Sequence, residues 1–248
     1  MRDLKAALSK PQSIIGGVLL ISAGLMTAPA YAQSDIEISG EIAVLSGYVF
    51  RGITNSPEND GTAVQAGVEA ATGAGLYAGW WASNLGYGTD DLSTTVENNF
   101  YAGVSGEIGG VGYDVGALYY WIMDDSDASG IEPYLGLSLG PVDLGVYYMA
   151  EDVSWSNQGD LFFTLGTGME LRDGFSVAAQ ASYGNYEDSG KYIASTGKSS
   201  TFRGVELTLE KAFDELPAQM FATYIAGGKD RDGVSQQDKI IVGLAVSF

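Results

Sequence analysis

The sequence predicts an all-β fold: an up-and-down antiparallel transmembrane β-barrel of about twelve strands, behind an export signal. Three observations carry that expectation. Apolar residues alternate with small or polar ones, at a period of two, in segment after segment from Ile36 to Phe248. Short turns and longer polar loops take turns in joining the segments. The first 32 residues read as an address rather than as structure.

Within that leader, Arg2, Lys5 and Lys10 form a positive region and Ile14 to Met26 an apolar run. Ala30-Tyr31-Ala32 fits a small-residue cleavage site. The expectation is a signal peptide over 1–32 and a barrel domain over 33–248. A transmembrane anchor is the competing reading, but the run falls short of the roughly 20 apolar residues a spanning helix needs. Cleavage after Ala32 removes three of 12 bases and one of 31 acids, leaving 9 and 30, net −21.

Composition narrows the chemistry. Neither cysteine nor histidine occurs, so disulfides, thiolate metal sites and Ser-His or Cys-His nucleophile pairs are excluded. A net charge of −19 argues against nucleic-acid phosphates as partners. Apolar content of 46% with regular alternation argues against disorder. No catalytic, cofactor-binding or metal-binding constellation is expected.

The strands follow in order. The first sets Ile36, Ile38, Ile42, Val44, Tyr48 and Phe50 against Glu37, Ser39, Glu41 and Arg51. The second sets Val64, Ala66 and Val68 against Gln65, Gly67 and Glu69. Leu76 to Asn84 makes the third, and the fourth returns through Phe100, Ala102 and Val104 opposite Glu97, Asn99 and Tyr101. Val111 to Trp121, Ile131 to Leu139, Val142 to Tyr148, Leu161 to Leu171 and Phe175 to Tyr183 continue the pattern. The tenth alternates Val205, Leu207 and Leu209 with Glu206, Thr208 and Glu210; the eleventh, Ala218 to Ala226, alternates most weakly. The last puts Ile240, Val242, Leu244, Val246 and Phe248 on one parity, with Ile241 its one blemish. An apolar terminal strand is explained if it pairs with the first and removes both sheet edges. Its spacing of Gly243, Val246 and Phe248 resembles the C-terminal signal read by the barrel-assembly machinery, so Phe248 is the expected contact with that partner.

Short turns are expected near Gly73, Gly109-Gly110, Gly140-Pro141, Asp173-Gly174 and Asp214 to Pro217. Long loops are expected at Gly52–Gly61, Gly86–Thr94, Asp124–Gly130, Asp152–Gly159, Tyr186–Ser200 and Gly227–Asp238. A soluble sandwich or lipocalin-like barrel would alternate too. The membrane is favoured because the polar parity is small and charged, unlike a dry core. Aromatics also gather at strand ends, Tyr48, Phe50, Tyr119, Trp121, Tyr148 and Tyr183 at one and Phe175, Phe213 and Phe248 at the other.

The stretch Ser46-Gly47-Tyr48-Val49-Phe50-Arg51-Gly52-Ile53-Thr54 resembles the opening motif of the TorF-family porins of proteobacteria. Tyr77-Ala78-Gly79-Trp80-Trp81-Ala82-Ser83-Asn84 resembles that family's second recurring stretch. The likeness runs over the chain beyond the leader. It implies a Gram-negative outer-membrane barrel and supplies no catalytic residues.

On the inward parity the sequence places Glu97, Glu132 and Glu151 toward the long-loop mouth. Glu41, Glu69, Glu107, Asp143, Glu170 and Glu210 fall toward the short-turn mouth, with Glu206 also on that wall and Arg51 as the inward base. Glu41 and Glu69 are expected to face each other across a hairpin. Twelve tilted strands enclose a backbone diameter on the order of 24 Å, which side chains narrow to roughly 10 Å or less. Carboxylates around a watery hole concentrate cations. The expected activity is passive diffusion of small polar solutes, cations preferred.

Arg203 and Lys211 fall on the outward parity, where Arg203 meets lipopolysaccharide phosphate or snorkels to the interface. Outer-membrane lipid and lipopolysaccharide are thus expected partners. Asp124, Asp125 and Asp127, and Asp230 with Asp232, lack the calcium-loop pattern and read as solvated loop carboxylates. Two other functional classes compete. A barrel hydrolase would have to work without histidine, and an occluded structural or adhesive barrel would use only its acidic loops.

Overall fold

A computed structural model describes residues 36–87, 95–213 and 215–248. The expected signal peptide and most of the expected Gly86–Thr94 loop lie outside the described residues. Twelve strands form: β1 (Ile36–Leu45), β2 (Ala63–Thr72), β3 (Leu76–Asn84), β4 (Val96–Ile108), β5 (Val111–Ile122) and β6 (Asp125–Leu139). They continue as β7 (Val142–Tyr148), β8 (Leu161–Glu170), β9 (Phe175–Asn185), β10 (Ser200–Ala212), β11 (Ala218–Gly227) and β12 (Lys239–Ser247). Every neighbour in sequence is an antiparallel neighbour in space, and β1 pairs with β12 to close the barrel.

Register sorts the side chains as the period-two pattern requires. Glu41, Ala43 and Leu45 of β1 face Ser247, Ala245 and Gly243 of β12 on the inside, while Ile42 and Val44 stand outside with Val246 and Leu244. The outer surface is a continuous apolar band, with Ile38 70% exposed, Leu165 51% and Val242 50%. Exposure on that scale is tolerable only where the neighbour is hydrocarbon rather than water. Tyr119, Trp121, Tyr148 and Tyr183 are exposed at its long-loop edge, and Phe175, Phe213 and Phe248 at the other.

The seam is clasped at its end. Phe248 N donates to Gly40 O at 2.9 Å and Gly40 N to Phe248 O at 2.8 Å. The Phe248 ring lies over Gly40, where a Cβ would come within 2.5 Å of it.

Four expectations need correcting. The polar run Asp124–Gly130 is not a long loop: β6 begins at Asp125, and the connection from β5 is a tight turn with Asp124 at φ 61°. Asp125 Oδ1 accepts from the backbone N–H groups of Asp127 and Ala128, which folds the polar residues into an irregular hairpin. Tyr48 and Phe50 are not girdle residues, because β1 ends at Leu45 and the chain then turns into the bore. Arg203 is not outward: a bulge between Phe202 and Gly204 spends one residue without a partner and swings it inside. Glu41 and Glu69 are not directly opposed; Glu41 faces Gly67 and Glu69 faces Ser39, one diagonal step away.

The sorting has a direct energetic test. Leu207 sits mid-strand on the outer face of β10, 48% exposed. Leu207→Arg should lower the unfolding free energy by about 2–4 kcal/mol, the cost of a guanidinium near the bilayer midplane. Urea titration from lipid vesicles reads it; an unchanged midpoint would mean that this face does not meet lipid.

Candidate functional site

The bore has two halves with different chemistry. Its long-loop half is packed. The inward positions of β3, β4 and β5 carry Trp81, Tyr101, Leu118 and Tyr120, and those of β6, β7 and β8 carry Tyr134, Tyr147 and Phe162, all buried. Glycine on the next strand makes room for these rings. Gly79 faces Tyr101 and Gly103 faces Tyr77, and a Cβ on either glycine would come within 2.3 Å of the ring or its hydroxyl. The inward glycines therefore do not leave the lumen empty there; they let rings lie against the wall.

Into this half folds the segment after β1. Tyr48 and Asn59 exchange backbone hydrogen bonds of 2.7 and 3.1 Å, so the segment doubles back as a small hairpin inside the bore. Two side chains pin it to the far wall. The Tyr48 hydroxyl donates to Glu97 Oε2 at 3.0 Å, and Asn99 Nδ2 donates to Glu97 Oε1 at 2.9 Å. Arg51 makes a two-pronged ion pair with Glu132, Nη1 to Oε1 at 2.7 Å and Nη2 to Oε2 at 2.6 Å. The Tyr120 hydroxyl adds a third bond to Glu132 at 2.9 Å.

The Arg51 guanidinium is also sandwiched by rings, 4.3 Å from the centre of Phe162, 4.7 Å from Phe50 and 5.1 Å from Tyr147. A planar cation suits both the fork of a carboxylate and the faces of aromatics. Its backbone is held at φ 50°, a left-handed conformation that costs a non-glycine residue energy and persists where its surroundings fix it. Those surroundings include Arg203, whose Nε donates to Arg51 O at 2.9 Å and whose Nη1 donates to the Tyr186 hydroxyl at 3.0 Å.

Long loops complete the cover. Gln236 Oε1 accepts from the backbone N–H groups of Thr54 and Asn55, both at 3.0 Å. Arg231 pairs with Asp160 at 3.2 Å and donates to Thr196, tying three loops together. At the rim Glu58 accepts a hydrogen bond from Tyr87; burial pushes the Glu58 carboxyl above its usual range, and that hydrogen bond works against the shift.

The short-turn half is acidic. Glu41, Glu69, Asp114, Asp143, Glu206 and Glu210 all have inward register there or at mid-height. Tyr101 donates to Glu69, Tyr77 to Asp114, and Ser138 to Asp143 at 2.6 Å. Among the described residues no lysine or arginine has inward register below Arg51.

The structure thus brings Arg51, Glu97 and Glu132 together as one cluster, with Glu41, Glu69 and Glu206 on the wall beneath. Glu151 lies exposed in the loop after β7, and Glu107 exposed beside the turn after β4, so both stand at the mouths rather than in the bore. Sequence reading left Asp114 out of its inward set, although it alternates with Tyr113 and Val115, and it put Arg203 on the outer face. The one available signal for Arg203 was the neighbouring Gly204, which takes φ 139° in the bulge.

None of the curated protein sequences compared with the chain matches it. Among solved structures it is similar to the KdgM porin, with a TM-score of 0.54 and 11% identity over 85% of this chain and 99% of that one. A KdgM porin in complex with disordered oligogalacturonate gives 0.50 and 11% over 85% and 98%. Outer membrane phospholipase A from Escherichia coli gives 0.44 and 13% over 85% and 90%. At these identities the likeness is one of fold: a closed twelve-strand barrel of the outer-membrane porin kind. A family model described as "Bacterial protein of unknown function (Gcw_chp)" matches residues 29–240, and the chain belongs to that family.

Proposed function

We propose that the chain is a non-enzymatic porin of the Gram-negative outer membrane. It passes small polar solutes by passive diffusion, cations ahead of anions, through a bore whose outer mouth is latched by Arg51. The observation that carries this reading is the wall below the latch: Glu41, Glu69, Asp114, Asp143, Glu206 and Glu210 face inward there, and no lysine or arginine does among the described residues. Such a wall attracts cations and excludes anions in proportion to how little water screens it. The KdgM complex holds an oligogalacturonate; a polyanion of that kind would be repelled by these carboxylates, so small cations and neutral solutes fit this bore better. The stretch Ser46–Thr54, through which the chain resembles the TorF-family porins, supplies the latch itself.

One observation favours a second reading, a sealed structural barrel. Tyr48 and Glu132 are each only 1% exposed, so the latch shuts both against water. Two measurements decide between them. In planar bilayers under a KCl gradient, the porin reading expects a reversal potential of the cation-selective sign; an anion-selective sign would overturn the preference. In liposome swelling, wild type should admit small sugars or amino acids more slowly than Arg51→Met, whose latch is gone. If neither protein swells the vesicles, the sealed barrel is correct. Arg51→Met should also lose about 3–5 kcal/mol of unfolding free energy in a urea titration, because Glu132 is left charged and unpaired in a buried site. Arg51→Met with Glu132→Leu should recover much of that loss.

A further inference from the structure

Within the bore, Glu206 differs from the other inward carboxylates. Glu97 and Glu132 are held by the latch, Glu69 and Asp114 accept from tyrosines, Asp143 from Ser138, and Glu41 from Ser247 at 3.4 Å. Glu210 also has a partner. Glu206 has no hydrogen-bond or ion-pair partner among the described residues, and its side chain is only half-buried. A carboxylate left unpaired in a narrow, low-dielectric channel pays a desolvation cost that a mobile counter-ion relieves.

Its neighbours are neutral and rich in oxygen. Gln180 of β9 and Ile225 of β11 flank it directly in the ladders. One step along lie Ser182, Thr208 and Thr223, with the two threonine hydroxyls 2.8 Å apart. Gln180, directly opposite Glu206, is incompletely partnered as well. Its side chain is 6% exposed, and its amide nitrogen is sealed from water without an acceptor. A half-turn of the carboxamide exchanges that nitrogen for an oxygen, and a cation beside Glu206 makes the oxygen-inward orientation the favourable one.

We propose that Glu206 is the specificity-determining residue of the bore: a small monovalent cation in transit exchanges part of its water for the Glu206 carboxylate and the oxygens of Thr208, Thr223 and Gln180. One carboxylate among neutral oxygens suits a monovalent ion held weakly enough to leave again. Divalent ions take more charge than this, and the described residues hold no group of three or more carboxylates placed to bind one.

The inference rests on the porin reading, so its test has a readout that needs no current. In KCl-gradient bilayers Glu206→Gln should reduce the potassium-to-chloride permeability ratio by about threefold or more. Glu206→Asp should keep most of it, and Glu69→Gln, at a carboxylate already engaged by Tyr101, should change it less. In parallel, sodium-23 relaxation is measured on the full barrel refolded in detergent. Excess line broadening with wild type should disappear with Glu206→Gln and survive Glu69→Gln. If wild type carries no current but the broadening still depends on Glu206, the ion site stands and the porin reading falls. If current flows and Glu206→Gln leaves both the ratio and the broadening at wild-type values, the proposal is overturned. Equal losses in the Glu206 and Glu69 variants overturn it as well, since they would reflect the summed charge of the wall.

Discussion

A chain that crosses hydrocarbon must satisfy its own backbone polar groups, since lipid offers neither donors nor acceptors. Everything else in this molecule follows from the solution it adopts. Each strand pairs with two neighbours, and β1 meets β12 so that no edge remains. Closure fixes a two-sided wall, and a two-sided wall fixes the alternation of residues along every strand. The same constraint explains why loops with unpaired backbone groups are found at the two ends, or inside the bore where side chains answer them, as Gln236 answers Thr54 and Asn55.

The interior divides labour along its axis. Toward the long loops, rings and a buried ion pair fill the bore; toward the short turns, carboxylates line it. The Arg51–Glu132 pair belongs to the packed half. Its two charges are expensive to bury singly and tolerable together, because three aromatic faces bear on the guanidinium while its fork and the Tyr120 hydroxyl satisfy the carboxylate. A pair of that kind acts as an all-or-none fastener: partial withdrawal of Arg51 would strand a carboxylate, so intermediate positions of the segment are disfavoured.

What the sequence conveyed and what it withheld divide along a physical line. Strand existence, strand count, closure and the outer face were legible because period-two burial writes itself directly into residue order. Ile240, Val242 and Leu244 needed no context to be read. Features that break the period were not legible. Tyr48 and Phe50 continue the parity of β1, yet the strand stops at Leu45, and nothing local announces the inward turn. Arg203 keeps its parity only if no bulge precedes Gly204. Ile241 looked like a flaw in β12 and is instead a buried wall residue, 5% exposed, whose side chain lies 3.1 Å from where a Cβ on Gly47 would be. Among the candidate site residues, parity placed Glu41, Glu69, Glu97, Glu132 and Glu206 on the inner wall. Which of them had partners depended on long-range register, as when Arg51 reaches Glu132, and no local pattern encodes that.

The seam has a kinetic corollary. Glu41 faces Ser247, and Gly40 is clasped to Phe248, so the ladder that seals the cylinder joins residues some two hundred positions apart, whereas the other eleven ladders join near neighbours. Ring closure entropy falls almost wholly on that one zipper. Until it forms, the nascent sheet carries two open rims able to capture strands from other chains, so assembly of this molecule is a race between sealing itself and templating an aggregate.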